Sequence, residues 1–204
     1  MDFEEGFQQT TPLGFMNTGT LWEIPLKKFY RKERNYMTII QEAKIQSKVI
    51  FSKDKRHRYL LERVWDNEKK KATVIMINPS FADELKTDVS VCKLMNFLID
   101  NDFGTLRIVN LYAFISTDPS PLSNNSEAVG ELNDQYIESS IADTDLIIIG
   151  WGIEKSKYTK RKAYIRNLLK KTNIEIKGFI DNEGRIGRHP SRINQFILSD
   201  YPLE

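Results

Sequence analysis

Val74-Ile75-Met76-Ile77-Asn78-Pro79-Ser80 is the stretch whose reading decides the fold. An unbroken apolar run reads as a strand buried on both faces, the habit of parallel sheets covered by helices. The run stops on an Asn-Pro-Ser turn, and in open α/β sheets ligands sit outside the carboxyl ends of such strands. Asp145-Leu146-Ile147-Ile148-Ile149-Gly150-Trp151-Gly152 repeats the pattern and ends on Gly-Trp-Gly. Gly187-Arg188-His189-Pro190-Ser191 supplies a third signal of this kind near the C-terminus. Three such ends predict one composite site.

Working outward, residues 48–51 and 58–65 read as two strands joined by a charged hairpin, with a polar turn leading into a strand over 72–77. Thr87 or Asp88 is placed to cap a helix carrying Val91, Leu94, Met95, Leu98 and Ile99 on one face, and Gly104 to stop it. Strands over 106–111, 146–149 and 174–179 alternate with helices over 128–142 and 155–171. The last helix turns Tyr158, Tyr164, Ile165, Leu168 and Leu169 inward. Repeated strand–helix–strand units predict a three-layer α/β/α fold with a mostly parallel central sheet, plus an N-terminal extension and hairpin. Residues 1–46 read as an N-terminal extension or arm and 47–204 as a single α/β domain.

Composition narrows the function classes. A chain with 40% hydrophobic and 28% charged residues carries enough apolar surface to exclude wholesale disorder. A net charge of +2 does not by itself mark a nucleic-acid binder. The basic clusters Lys53, Lys55, Arg56, His57, Arg58, Arg63 and Lys155, Lys157, Lys160, Arg161, Lys162, Arg166 read as solvated faces. The single cysteine, Cys92, excludes an internal disulfide and a cysteine-based zinc site, and reads as a buried structural thiol. No run reaches the ~18–20 apolar residues of a membrane span, and the acidic start lacks a signal-peptide profile. A cytoplasmic protein without membrane partners is expected. Glycine-rich phosphate loops, dinucleotide fingerprints and Gly-x-Ser-x-Gly elbows are absent, so no cofactor and no serine hydrolysis are expected.

The strand ends carry the candidate chemistry. Asn78 offers an acceptor and two donors for a water or a planar amide-like ligand; the alternative is a turn residue bonding its own backbone. Asp83 and Asp88 are spaced to approach the same turn, as a general base or as water-mediated holders of magnesium, while plain helix capping competes for Asp88. A third clustered ligand is lacking, so no metal centre is expected. His189, fixed by Pro190, can donate to a developing oxyanion or simply bond a loop carbonyl. Pro79, Ser80, Asn110, Trp151, Gly152 and Ser191 complete the expected substrate contacts, although Trp151 equally suits a cover for the sheet end and Asn110 a backbone-satisfying role. Asn133 and Asp134 add polar groups. Arg58, Arg63, Arg188 and Arg192 are candidates for phosphate neutralisation, with Arg63 also placed to stack on Trp65.

The ordered set Arg58-x4-Arg63-x-Trp65, Ile77-Asn78-Pro79-Ser80-x2-Asp83-x4-Asp88, Val109-Asn110-Leu111-Tyr112-Ala113, Gly130-x2-Asn133-Asp134, Gly150-Trp151-Gly152 and Arg188-His189-Pro190 carries a resemblance over about residues 56–192. It resembles a bacterial and phage family, domain-of-unknown-function family 1643, whose name conveys no activity. More remotely, the order Asn78-Pro79, Trp151-Gly152, His189-Pro190-Ser191 resembles the uracil-DNA glycosylase-like enzymes. That resemblance implies their fold, a flipped base, and hydrolysis of an N-glycosidic bond. It implies Asn78 as the water-positioning group, Asn110 as the base reader and His189 as the electrophile near the base carbonyl. Where that superfamily drives an apolar wedge into DNA, this chain has Arg192-Ile193. Two expectations follow: a glycosylase-like protein acting on nucleic acid or nucleotide, or a non-catalytic nucleic-acid or protein-binding module of phage or mobile-element origin.

Overall fold

A computed structural model describes residues 39–116, 122, 126–152 and 158–204. The arm expected over 1–46 falls mostly outside the described residues, as does much of the loop over 116–126. In chain order the elements are β1 (Gln46–Phe51), β2 (Arg58–Val64), β3 (Lys70–Met76), α1 (Val89–Asp100), β4 (Phe103–Asn110), α2 (Ser126–Val129), α3 (Asn133–Ala142), β5 (Leu146–Ile149), α4 (Thr159–Leu169), β6 (Glu175–Phe179), a short 3-10 helix (Pro190–Arg192) and β7 (Leu198–Asp200).

The strands form one seven-stranded sheet in the order β1-β2-β4-β3-β5-β6-β7. Pairing is parallel across β4-β3-β5-β6 and antiparallel for β1-β2, β2-β4 and β6-β7. The mostly parallel sheet expected from sequence is therefore corrected to a mixed one. Long connections containing α1, α3 and α4 permit parallel pairing in the centre, whereas the tight β1-β2 hairpin permits only antiparallel pairing. β7 escapes sequence reading because three half-exposed residues carry no pattern.

The apolar run of β3 is buried because both of its faces are covered. Val74 and Met76 join the core that receives Val91, Leu94 and Leu98 from α1, while Ile75 joins the opposite core with Ile137 and Ile141 of α3 and Ile165 and Leu169 of α4. Alternation along the strand thus feeds two cores. Fully burying one such aliphatic side chain is worth roughly 1.5–3 kcal/mol.

Local signals were met unevenly. Asp88 caps α1, its carboxylate accepting from the Val91 amide. Gly104 does not stop that helix. It lies inside β4, and the left-handed residue after α1 is Asp102 (φ 63°). A Cβ on Gly104 would stand 1.8 Å from the Asp66 carbonyl oxygen, so close approach of backbone is what this glycine serves. Ile99 and Tyr164, expected inward, are exposed, and so is Cys92, one step off the buried Val91–Leu94–Leu98 stripe. Conversely His57, Arg58, Arg63 and Lys162 are buried, not part of solvated faces. Among the described residues no helix is long and apolar enough to cross a membrane.

Candidate functional site

Parallel pairing sets the carboxyl ends of β3, β4, β5 and β6 along one edge of the sheet, and the three expected turns emerge there. Beyond β3 the pairing to β4 continues, with the Leu111 and Tyr112 amides donating to the Met76 and Ile77 carbonyls at 2.9 Å each. Asn78 follows at the bend. Its amide donates to the carbonyls of Pro79 (3.1 Å) and Ser116 (2.6 Å), so its donor side stitches the bend to the segment after β4.

Ser80 and Asp88 join next. The Ser80 hydroxyl donates to Asp88 Oδ2, and Asp88 Oδ1 accepts from Val91 N at 2.8 Å. Beneath them Arg58, 1% exposed, donates from Nη1 to the Ala82 carbonyl at 2.6 Å. Burial pushes the Arg58 guanidinium down to about 10, and the charge of Asp88 opposes that fall. Its Nε has no partner. Arg63 also holds the bend, donating to the Asp83 carbonyl at 2.5 Å and to the Ser47 hydroxyl. These arginines are struts of the 80–86 loop. Neither presents a free guanidinium to a phosphate, contrary to expectation.

Asp83 is not brought to this group. Its Oδ1 accepts from the Leu85 and Lys86 amides at 2.9 and 2.6 Å, and those backbone donors hold the carboxyl below its usual range. It closes a turn.

His189 arrives from the far side of the site. The 3-10 helix that follows it packs against α1, where Lys93 donates to the Ile193 carbonyl at 3.0 Å. A Cβ on Gly150 would meet Pro190 at 3.4 Å, which brings the end of β5 against the His-Pro-Ser corner. His189 Nδ1 accepts from Ser191 N (3.2 Å) and pairs with the Ser191 hydroxyl (2.9 Å). With Nδ1 an acceptor, the neutral ring carries its proton on Nε2. Burial lowers the His189 pKa, Asp88 opposes and Arg192 adds to the fall, so the imidazole is neutral near pH 7.

Asn110 ends β4. Leu106 and Ile108 point into the α1-side core, so by strand alternation Asn110 points to that side too, level with Met76 in the register. It is fully buried, and neither its Oδ1 nor its Nδ2 has a partner. Native proteins seldom leave both ends of a buried amide unsatisfied.

Trp151, Asn133 and Asp134 lie elsewhere. Trp151 is fully buried on the α4 side. Its indole N–H donates to the Tyr201 hydroxyl at 3.0 Å, and Lys162 and Arg166 lie over its ring at 5.8 and 5.9 Å. It covers the sheet end and offers no open face for stacking a base. Asn133 is buried behind β4, donating to the Asn110 and Leu111 carbonyls, while Asp134 pairs with Arg161. Gly152 has left-handed φ (75°), donates to the Gly187 carbonyl at 2.7 Å and faces open space.

His57, expected to be solvated, lines a groove of about 890 Å³ together with Tyr59, Glu127 and Gly130. Its Nε2 bonds the Glu127 carbonyl at 2.7 Å. Sequence reasoning also passed over Asp181, whose carboxylate pairs with Arg188 at 2.9 Å from Nε. The signal available was the Asp181-Asn182-Glu183-Gly184-Arg185 turn, with acid and base four residues apart.

Residues 58–191 match the family described as protein of unknown function DUF1643. The chain belongs to that family. The matched span opens on the strut Arg58 and closes on Ser191, so it takes in Ser80, Asp88, Asn110 and His189. No curated protein and no solved structure matches the chain. Among the described residues no cluster of three or more histidine, cysteine or carboxylate groups could hold a metal ion.

Proposed function

We propose that this DUF1643 protein binds a nucleobase, free or within a nucleotide or DNA, at the carboxyl ends of β3, β4 and β5. The observation that carries the reading is Asn110, a buried amide with donor and acceptor both free. That pair is the complement of a base edge. His189 supports it as a neutral Nε2–H donor suited to a base carbonyl. Asn110 is fully buried, so a base reaches its amide only when the chain covering this strand end opens. On this reading the fold is of the uracil-DNA glycosylase-like three-layer type and the reaction is hydrolysis of an N-glycosidic bond. Bond cleavage would leave negative charge on the departing base, which the His189 donor stabilises, and Asp88 is the carboxylate nearest to hand for a water.

One observation favours the second reading, a non-catalytic binding module. Both oxygens of Asp88 already serve structure, one accepting from Ser80 and the other from the Val91 amide, so this carboxylate has a full structural role without catalysis. Incubating the folded chain with oligonucleotides carrying uracil and other altered bases separates the two. Abasic product abolished by His189→Ala supports hydrolysis; binding without abasic product on every substrate leaves the binding module.

A further inference from the structure

The chain following β6 folds into a second polar cleft beside His189, with a volume of about 320 Å³, lined by Asp181, Arg185, Arg188, Arg192, Asn194 and Gln195 among others. Its floor is built by one carboxylate. Asp181 Oδ1 accepts from the Glu183 and Arg185 amides at 3.1 and 3.0 Å, and Oδ2 accepts from Arg185 Nε at 2.8 Å and lies 2.9 Å from Arg188 Nε as an ion pair without a hydrogen bond. Arg185 is further occupied by Glu183 at 2.7 Å. The Asp181 side chain, 12% exposed, is thereby spent on construction.

Arg188 and Arg192 are different. Arg188 meets Asp181 only as an ion pair at Nε, which is buried without a hydrogen-bond partner; the side chain is 17% exposed and its terminal nitrogens are unspent. Its backbone is fixed: its amide donates to the Phe179 carbonyl at 3.0 Å. The preceding Gly187 has φ 82°, where a Cβ would stand 2.8 Å from the Tyr201 ring. Arg192 leaves the 3-10 helix with its amide bonded to the His189 carbonyl at 2.8 Å, and its guanidinium forms no hydrogen bond or ion pair with a described residue. Two unspent guanidinium groups and three carboxamides (Asn182, Asn194 and Gln195) around a cleft, over carboxylates already consumed, suit a tetrahedral oxyanion, for which arginine supplies paired donors.

We propose that this cleft is a phosphate site. The nucleobase reading enters only in naming the phosphate's carrier, a nucleotide or a nucleic-acid backbone whose base lies on the His189 side; the phosphate site itself stands on the cleft. A bound phosphate takes its donors from Arg188 and Arg192, with Asn194 and Gln195 beside them, one residue either side of the imidazole loop.

The test is calorimetric titration of the full chain with inorganic phosphate and, separately, with a nucleoside, a 5′-mononucleotide and a short single-stranded oligonucleotide. Phosphate is expected to bind, and Arg192→Gln, an exposed change that leaves the fold intact, to weaken it by about tenfold, the worth of one charge-assisted contact. Arg188→Gln should do the same. Nucleoside binding should survive both variants, and Asn110→Ala should spare phosphate binding while removing nucleoside binding. Of the phosphorylated probes, the tighter one identifies the carrier, and its advantage over the nucleoside should vanish in Arg192→Gln. No phosphate binding, or phosphate binding that Arg192→Gln leaves unchanged, overturns the site. Loss of nucleoside binding alone contradicts the base reading and spares this one.

Discussion

Ser80 and Asp88 tie the Asn-Pro-Ser bend to the first turn of α1: the hydroxyl donates to one carboxylate oxygen while the other accepts from Val91 N at 2.8 Å. One acid thus serves as helix cap, bend anchor and counter-charge to buried Arg58.

The three roles separate by mutation. Asp88→Asn keeps a good N-cap but removes the charge that offsets Arg58, and should cost about 1–3 kcal/mol in urea unfolding, because a buried cation loses its compensation. Asp88→Ala also gives up the cap and should cost about 1 kcal/mol more. Equal stability of Asp88→Asn and the parent chain would show that the charge contributes nothing.

Gly104→Ala should destabilise strongly. The added methyl would meet the Asp66 carbonyl at 1.8 Å, and Gly104 O accepts from the Trp65 and Asp66 amides, so neither strand can yield without losing bonds. A loss of about 2 kcal/mol or more is expected in thermal or urea unfolding, the upper part of the range for single changes. A drop within about 0.5 kcal/mol, ordinary for a surface change, contradicts the packing described.

His189 fixes a pH dependence. Burial lowers its pKa below the unfolded value, so folded and unfolded chains bind equal protons well above pH 6.5 and the unfolded chain binds more below it. This histidine's contribution to stability is therefore intact above pH 6.5, and falls away as pH drops from there through the folded pKa. An NMR titration of the His189 ring should give a midpoint below 6.5, and His189→Gln should flatten that part of the stability profile. A midpoint above 6.5 contradicts the burial described.

Trp151→Phe should separate structure from binding. Losing the bond to the Tyr201 hydroxyl should cost about 1–3 kcal/mol, while nucleoside affinity should change less than twofold because the indole faces α4. A large loss of affinity at unchanged stability would return Trp151 to the binding site.

How far the sequence could be read varied with what each signal depends on. The β3 run, the β5 run and the Asp88 cap are local, set by burial on two faces and by a single side chain-to-backbone bond, and they were legible. Gly104 looked like a helix stop because composition cannot show that the Asp66 carbonyl lies against it. Arg58 and Arg63 looked like solvent-facing charges because their acceptors, the carbonyls of Ala82 and Asp83, lie 24 and 20 residues away. At the sheet edge, the Asn-Pro-Ser bend after β3, Asn110 at the end of β4 and the His189 corner against the end of β5 follow from strand order and turn residues. Which of their atoms are free depends on contacts such as Asn78 to Ser116, beyond the reach of spacing.

The most direct measurement is a crystal of the chain soaked with nucleosides. The account predicts density for a base whose edge lies within hydrogen-bonding distance of the Asn110 amide and His189 Nε2, with the chain that buries Asn110 displaced. Nucleosides absent from that edge of the sheet, with Asn110 simply bonded to an ordered water, would contradict it.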